Sequence, residues 1–190
     1  MQPEVMANPL KPATEMNPSC LCGGIRYRVL ILRFDFTGAA GLPSELRGAP
    51  GLRCAKCGEE ALDGAVIGAA LVALTQQVLI LPSVLAPQEA KFLRKRLQLS
   101  QKDLAERMGI SRETVAAWEC GQKPLSPQHD YILRGLHFGA QLPSGAQPMP
   151  MELVARALGK VHSPSERTTT PEPFIISEQL TRLRETAIRT

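Results

Sequence analysis

Four cysteines in two close pairs are the residues of this chain whose types and spacing are best suited to chemistry. Cys20 and Cys22 form a C-x-C pair, and Cys54 and Cys57 form a C-x-x-C pair followed by Gly58. Structural Zn²⁺ prefers soft thiolate ligands, usually four of them in a tetrahedron. The sequence therefore predicts a metal site made of Cys20, Cys22, Cys54 and Cys57, with structural Zn²⁺ as the cofactor.

The first pair departs from the C-x-x-C spacing of a regular zinc knuckle, because Ser19 stands where that motif would begin. Two arrangements follow from this departure. Either Cys20 and Cys22 both bind metal from a distorted knuckle, or three good thiolates hold the metal weakly or not at all. No histidine lies nearby in the sequence to replace a thiolate. A redox role for Cys54 and Cys57 has little support, since no βαβ pattern surrounds them.

The segments around the cysteines indicate a small β domain over residues 20–62. Residues 25–36 are rich in β-branched and aromatic side chains with partial alternation, which predicts a strand. Residues 37–51 are rich in glycine and proline and are predicted to be a turn or loop before a second, short strand leading into Cys54. So few apolar residues would need a metal ion to hold the layer together.

A second constellation runs from Ser100 to Gly121 and has the signature of two short helices joined by a sharp turn. Ser100 and Ser111 are placed to cap the two helices, and Gly109 stands at the corner, where the backbone needs a positive φ. Leu104, Ala105 and Met108 share a face of the first helix, residues 101–108, and Val115 and Trp118 share the inner face of the second. This is the spacing of a helix-turn-helix.

In a helix-turn-helix, the first helix begins beside the DNA backbone and the N-terminal part of the second helix enters the major groove. Arg112 suits guanine O6 and N7, and Glu113 could accept from cytosine N4. Ala117 offers apolar contact. The predicted DNA-binding residues are Gln101, Lys102, Ser111, Arg112, Glu113, Thr114 and Ala117.

The stretch resembles the Cro/C1-type (XRE-like) helix-turn-helix, including the aromatic-Glu-x-Gly end at residues 118–121 and the proline at 124. Together with the cysteine pairs, the chain resembles the MqsA/YgiT-type antitoxins. That family joins a zinc-binding, toxin-facing N-terminal domain to a dimeric, operator-binding C-terminal domain. The resemblance implies a homodimer, a double-stranded DNA operator, a toxin as protein partner, and no catalysis.

Residues 64–81 form an 18-residue run without a charged side chain. Its length reaches the lower edge of a membrane span. Polar residues at 75–77 and the small-residue clusters instead favour a buried helix, which the resemblance places between the two domains. No membrane partner is therefore expected, although the run is more apolar than an exposed linker requires.

The predicted fold class is mainly α, with a small zinc-pinned β-containing domain, an all-α helix-turn-helix domain and a disordered tail. The predicted domains are a disordered leader (1–19), the β domain (20–62), a connecting helix and linker (63–86), the helix-turn-helix domain (87–138) and a mostly disordered tail (139–190). Helices are predicted at 88–97 and from Ser126-Pro127 to residue 136. Short helices are also predicted in the tail, over Glu152–Leu158 and Glu178–Ile188.

Charge and cysteine usage agree with this interpretation. The net charge of the chain is +4, and residues 91–123 hold eight cationic side chains against four acidic ones. A local basic surplus is what phosphate contacts require. Thiols in metal-binding pairs indicate a reduced, cytoplasmic protein. Two other function classes stay open: a zinc-finger and helix-turn-helix regulator without a toxin partner, and an enzyme or redox protein using Cys54 and Cys57.

Overall fold

The computed structural model describes residues 20–140 and 173–177, of which 47% are helical. The predicted fold class, a β-containing N-terminal region followed by helices, is confirmed. The described residues form two compact units. The first, here called the β unit, comprises residues 20–35, 46–70 and 175–177, and the second, the helical unit, comprises residues 36–45, 71–140 and 173–174.

The β unit is built around a four-stranded sheet. Its strands are β1 (Arg26–Asp35), β2 (Ser44–Cys54), β3 (Glu60–Leu62) and β4 (Phe174–Ser177). The strand order is β1-β2-β3, and β4 also pairs with β2. β2 and β3 are antiparallel, with Leu52 opposite Ala61. The predicted strand at 25–36 is therefore confirmed as β1.

One prediction about this sheet was wrong. Residues 37–51, predicted as a turn or loop, contain a short helix α1 (Thr37–Ala40) and most of β2, which begins at Ser44. Phe174–Ser177, within the range of the predicted tail, is a strand, and its Ile176 is fully buried. In both cases pairing with a distant strand overrides the local composition. The predicted leader and the two predicted tail helices lie outside the described residues.

The core of the β unit is thin. Ile31, Leu46 and Ile176 are its fully buried large side chains within the described residues. Gly51 is required where the strands meet, because a Cβ there would lie 2.3 Å from Ile31 Cδ1 and 2.8 Å from the Ala61 carbonyl oxygen. This close approach explains why a glycine interrupts β2.

The helical unit contains the predicted succession of helices. They are α3 (Pro87–Arg96), α4 (Gln101–Met108), α5 (Arg112–Glu119) and α6 (Pro127–Ala140), each within two residues of its predicted start. Leu93, Leu104, Val115, Trp118 and Leu133 are buried, one or more from each helix. The predicted inner face of the second helix is thereby confirmed.

The apolar run at 64–81 forms helix α2 (Gly64–Leu79). Ala73, Leu74, Val78 and Leu79 are buried in its second half, which belongs to the helical unit. The run is apolar because it supplies core. Among the described residues, no helix has the length and apolarity needed to cross a membrane.

A buried arginine ties the end of α2 to α6. Arg134 is fully buried and pairs with Asp130, from Nε to Oδ2 at 3.0 Å. Its two terminal nitrogens donate to the carbonyl oxygens of Leu79, Leu81 and Ser83 at 2.7 to 2.9 Å. The last carbonyls of a helix have no partner within the helix. Arg134 therefore caps α2 with a side chain from a helix some 50 residues later in the chain.

Candidate nucleic-acid interface and metal centre

The first helix of the candidate DNA-binding motif is capped as its sequence predicts. The Ser100 hydroxyl accepts from the Asp103 backbone N–H at 3.1 Å, and the Asp103 carboxylate accepts from the Ser100 backbone N–H at 2.9 Å. These bonds lower the pKa of Asp103. The reciprocal bonds satisfy two of the orphan donors at the helix start, which fixes where α4 begins.

The corner between α4 and α5 is made by Gly109, which has φ +65° and ψ +32°. The Ile110 N–H donates to the Ala105 carbonyl oxygen at 3.0 Å, which closes the end of α4. Only glycine adopts this left-handed conformation without cost. Ala105 is buried beneath the corner.

The start of α5 presents an exposed polar surface. Arg112 and Glu113 are exposed, whereas Val115 and Trp118 on the opposite side are buried. Ala117 is partly exposed. The helix thus has one side fixed in the core and one side open at its N-terminal end, as insertion into a groove requires.

Ser111 and Thr114 are engaged with each other. The Ser111 hydroxyl accepts from the Thr114 backbone N–H at 3.2 Å, and the two side-chain oxygens lie 3.0 Å apart. Ser111 therefore caps the start of α5. Arg112 and Glu113 are left as the long polar side chains at the exposed end of the helix.

An internal ion pair fixes the far end of α5. Arg94 of α3 donates from Nε and Nη2 to the two carboxylate oxygens of Glu119 at 2.5 and 2.9 Å, and from Nη1 to the Leu99 carbonyl oxygen at 2.7 Å. Gln101 adds a bond from Nε2 to Glu119 Oε2 at 2.9 Å. The Arg94 and Gln101 bonds outweigh burial and lower the pKa of Glu119.

The Arg94–Glu119 ion pair was not predicted from the sequence, because its members lie on different helices. The available signal was the position of Arg94 beside Leu93 on the inner face of α3. Gln101 is a predicted DNA-binding residue, but its side-chain amide donates to Glu119 within the helical unit. Lys102 is exposed, and its Nζ lies 3.8 Å from a Glu106 carboxylate oxygen.

The basic surplus of the motif is on the surface. Arg94 is buried in its ion pair with Glu119. Most of the other cations in residues 91–123 are exposed: Lys91, Lys95, Lys102, Arg107, Arg112 and Lys123. Exposed cations around a reading helix supply the phosphate contacts of nucleic-acid binding.

Residues 91–129 match the helix-turn-helix family, from the second turn of α3 into α6. The chain carries an XRE-type DNA-binding domain. The match covers the capped helices, the glycine corner and the Arg94–Glu119 pair. No curated protein and no solved structure matches the chain.

The four cysteines of the predicted metal site lie together in the β unit. All their Sγ atoms are within 4.8 Å of one another. Cys20 Sγ and Cys57 Sγ are 3.5 Å apart, as are Cys22 Sγ and Cys54 Sγ. Four thiolates at about 2.3 Å from one Zn²⁺ would stand about 3.8 Å apart. Both members of the C-x-C pair therefore join a cluster that could hold a metal ion.

Glycines make the two turns that bring the sulfurs together. Gly23 and Gly58 have φ of +76° and +75°. At Gly24 a Cβ would lie 2.6 Å from Cys54 Sγ and 3.2 Å from Cys22 Sγ. Any other residue at position 24 would place its Cβ in the space that the sulfur cluster needs.

The electrostatics of the sulfurs are unequal. Hydrogen bonds from the backbone N–H groups of Cys57 and Lys56 lower the pKa of Cys54 to about 6. The Glu59 carboxylate, whose Oε2 lies 3.0 Å from Cys20 Sγ, raises the pKa of Cys20 to about 12. A metal ion must therefore displace a proton at Cys20. The donor set fits a divalent ion that prefers thiolates in a tetrahedron.

Proposed function

We propose that the chain is a sequence-specific transcriptional repressor that binds its operator as a homodimer, and that it is the antitoxin of a type II toxin–antitoxin pair. The observation that carries the DNA-binding part is the exposed N-terminal end of α5, with Arg112 and Glu113 outside and Val115 and Trp118 buried. In this proposal Arg112 reads a guanine, Glu113 contacts a neighbouring base, and Lys102 contacts phosphate.

The test uses DNA from upstream of the chain's own reading frame and measures affinity for specific and scrambled duplexes over a range of salt concentrations. Arg112→Ala should weaken specific binding by about 1–3 kcal/mol and relax the preference for one base pair. Lys102→Ala should weaken binding to both duplexes and lower the salt slope by about one. Arg28→Ala, which removes an exposed cation of the β unit, is the control. Unchanged discrimination in Arg112→Ala would exclude Arg112 as a reader.

The antitoxin part is supported by the resemblance of the cysteine pairs and helix-turn-helix to that family, and by an exposed apolar strand. β1 stands at the end of the described strand order, and its Leu30 and Leu32 are 53% and 72% exposed. Exposed apolar strands at the edge of a sheet are suited to binding another protein. A toxin bound here would be neutralised by contact, without catalysis.

Co-expression of the full chain with the product of the adjacent gene tests this part. A stable complex that stops the adjacent product from arresting growth would support the antitoxin function. Growth arrest that persists, with operator binding intact, would leave the alternative of a regulator without a toxin partner. The mass of the chain in solution, alone and on operator DNA, tests the homodimer.

For the metal centre we propose structural Zn²⁺ bound by Cys20, Cys22, Cys54 and Cys57, in a protein that works in the reducing cytoplasm. Four thiolates leave no position for a reacting water, so the ion would hold the β unit together and perform no chemistry. Metal analysis of the purified chain should give one zinc per chain, and Cys54→Ser should lower this content sharply. A chain that carries another metal, or none, would contradict the assignment.

A further inference from the structure

Arg26, the first residue of β1, lies against the sulfur cluster. Its side chain is only 14% exposed, and Nη2 donates to Glu59 Oε2 at 3.2 Å. The neighbouring Cys20 thiol and the Glu59 carboxylate raise the pKa of Arg26. Its Nε is buried and has no hydrogen-bond partner within residues 20–140 and 173–177. A buried guanidinium with an unused donor is costly unless its surroundings need the charge.

Glu59 brings a negative charge to the edge of the same cluster. Its Oε2 lies 3.0 Å from Cys20 Sγ, but the group of mutually close ligand atoms comprises the four sulfurs alone among the described residues. Glu59 thus touches one ligand from outside. A carboxylate is also a competent zinc ligand, and so it competes with the thiolates for the metal.

The charges of the cluster require cations nearby. Four thiolates around a divalent ion leave a net charge of −2, and Glu59 makes it −3. Arg26 offers one positive charge, and Lys56, whose Nζ donates to the Cys22 carbonyl oxygen at 3.0 Å, offers a second. Cys20 and Cys54 are buried, where uncompensated charge is strongly unfavourable. Arg26 is the less exposed of the two cations.

We propose that Arg26 is a positioning residue for the metal centre. Its guanidinium offsets the negative charge of the four sulfurs and, through its bond to the Glu59 carboxylate that lies against Cys20, holds Glu59 outside the ligand set. This inference rests on the metal centre proposed above and adds a role that the cysteine pattern does not contain. Partners of metal ligands in the outer shell commonly change metal affinity by about 10–100-fold.

The test is a competition between the full chain and a chromophoric chelator for Zn²⁺, together with the absorption spectrum of the Co²⁺-loaded chain. Arg26→Gln should weaken zinc binding about tenfold or more. Arg26→Lys, which keeps the charge and loses the planar fork, should recover part of the loss. The matched control is Arg53→Gln. Arg53 pairs with Glu60 on the same sheet, with Nε to Oε1 at 3.0 Å, and its side chain is 44% exposed.

A second pair of variants separates the two actions of Arg26. Glu59→Gln should bind zinc at least as tightly as the natural chain, because a competing charge is removed. In the Glu59→Gln background, Arg26→Gln should still weaken binding, since the positive charge that offsets the four thiolates is lost. The cobalt spectrum of Arg26→Gln should show weaker thiolate charge-transfer bands as Glu59 enters the ligand set, and Glu59→Gln should restore them.

The inference is overturned if Arg26→Gln binds zinc within twofold of the natural chain, or if Arg53→Gln loses as much. It is also overturned if the loss vanishes in the Glu59→Gln background, because Arg26 would then act only as the partner of Glu59. A natural chain that takes up no metal would overturn the metal centre itself. Normal zinc uptake with a silent Arg26→Gln would overturn this inference alone.

Discussion

The β unit and the helical unit achieve stability in different ways. The β unit buries few large apolar side chains and gathers four cysteines at its turns. The helical unit buries leucines from most of its helices. It also contains two internal ion pairs, Arg94–Glu119 and Asp130–Arg134. A small layer with a thin core would gain stability from a metal crosslink such as the one proposed, whereas a helical core can accept buried charges when each has partners.

Metal removal should separate the two units most clearly. With a strong chelator, or in Cys54→Ser, the β unit should lose its amide protection, because its core is too small to fold without the crosslink. The helical unit should keep its protection. Hydrogen exchange followed by mass spectrometry measures both at once. Cys120→Ser, an exposed cysteine outside the cluster, is the control. Equal loss of protection in both units would contradict the comparison.

The buried arginine should dominate the stability of the helical unit. Arg134→Met removes the guanidinium, leaves Asp130 buried without its cation, and leaves three carbonyl groups without donors. The expected loss in the free energy of unfolding is about 3–5 kcal/mol. Urea unfolding followed by circular dichroism gives the value. Lys102→Met, which breaks an exposed pair with Glu106, should change stability very little.

Two glycines of the helical unit should respond with opposite signs. Gly109→Ala places a side chain at φ +65° in open space, so the loss of about 1–2 kcal/mol is purely a backbone effect. Gly135→Ala adds a methyl group at an exposed position inside α6 and should stabilise by about 0.5–1 kcal/mol. Thermal unfolding of both variants measures the difference. A neutral Gly109→Ala would mean that the corner is not held in the left-handed conformation.

A mild pH dependence should arise from His137. Burial and the nearby Arg96 lower its pKa, although its Nε2 lies 2.8 Å from the Leu93 carbonyl oxygen as a partner. The unfolded chain then binds a proton that the folded chain rejects. Stability should fall as the pH drops through about 6.5 toward the folded pKa, by at most about 1.4 kcal/mol per pH unit. Unfolding of His137→Gln at pH 7.5 and 5.5 isolates this contribution.

The parts of the fold that sequence predicted are those with local causes. Ser100, Gly109 and Ser111 determine the starts and ends of their helices through bonds to neighbours a few residues away. The cysteine cluster was also predictable from local sequence, because each pair of cysteines lies in its own short turn. The spacing of Val115 and Trp118 was enough to separate the inner face of α5 from the outer one.

The parts that sequence missed have distant causes. β4 pairs with β2 across more than a hundred residues, and four residues carry no signal of such a partner. The burial of Arg94, Glu119, Asp130 and Arg134 was not predicted, because charged side chains are rarely buried unless they are paired. The partner of Arg94 lies on another helix. The Asp130–Arg134 pair has the i,i+4 spacing that is common on helix surfaces, so its spacing gave no sign of burial. Charge on an apolar helix face is the clue that could have been used.

The Arg134 cap sets a limit on how the chain can be dissected. A fragment trimmed to the matched residues 91–129 lacks Arg134. A fragment that begins after Ser83 keeps Arg134 but lacks the three carbonyl groups that accept hydrogen bonds from its guanidinium. Either cut also removes the leucines of α2 from the core. The shortest piece that keeps the reading helix in its native setting therefore starts upstream of Leu79 and extends beyond Arg134, wider on both sides than the recognisable motif.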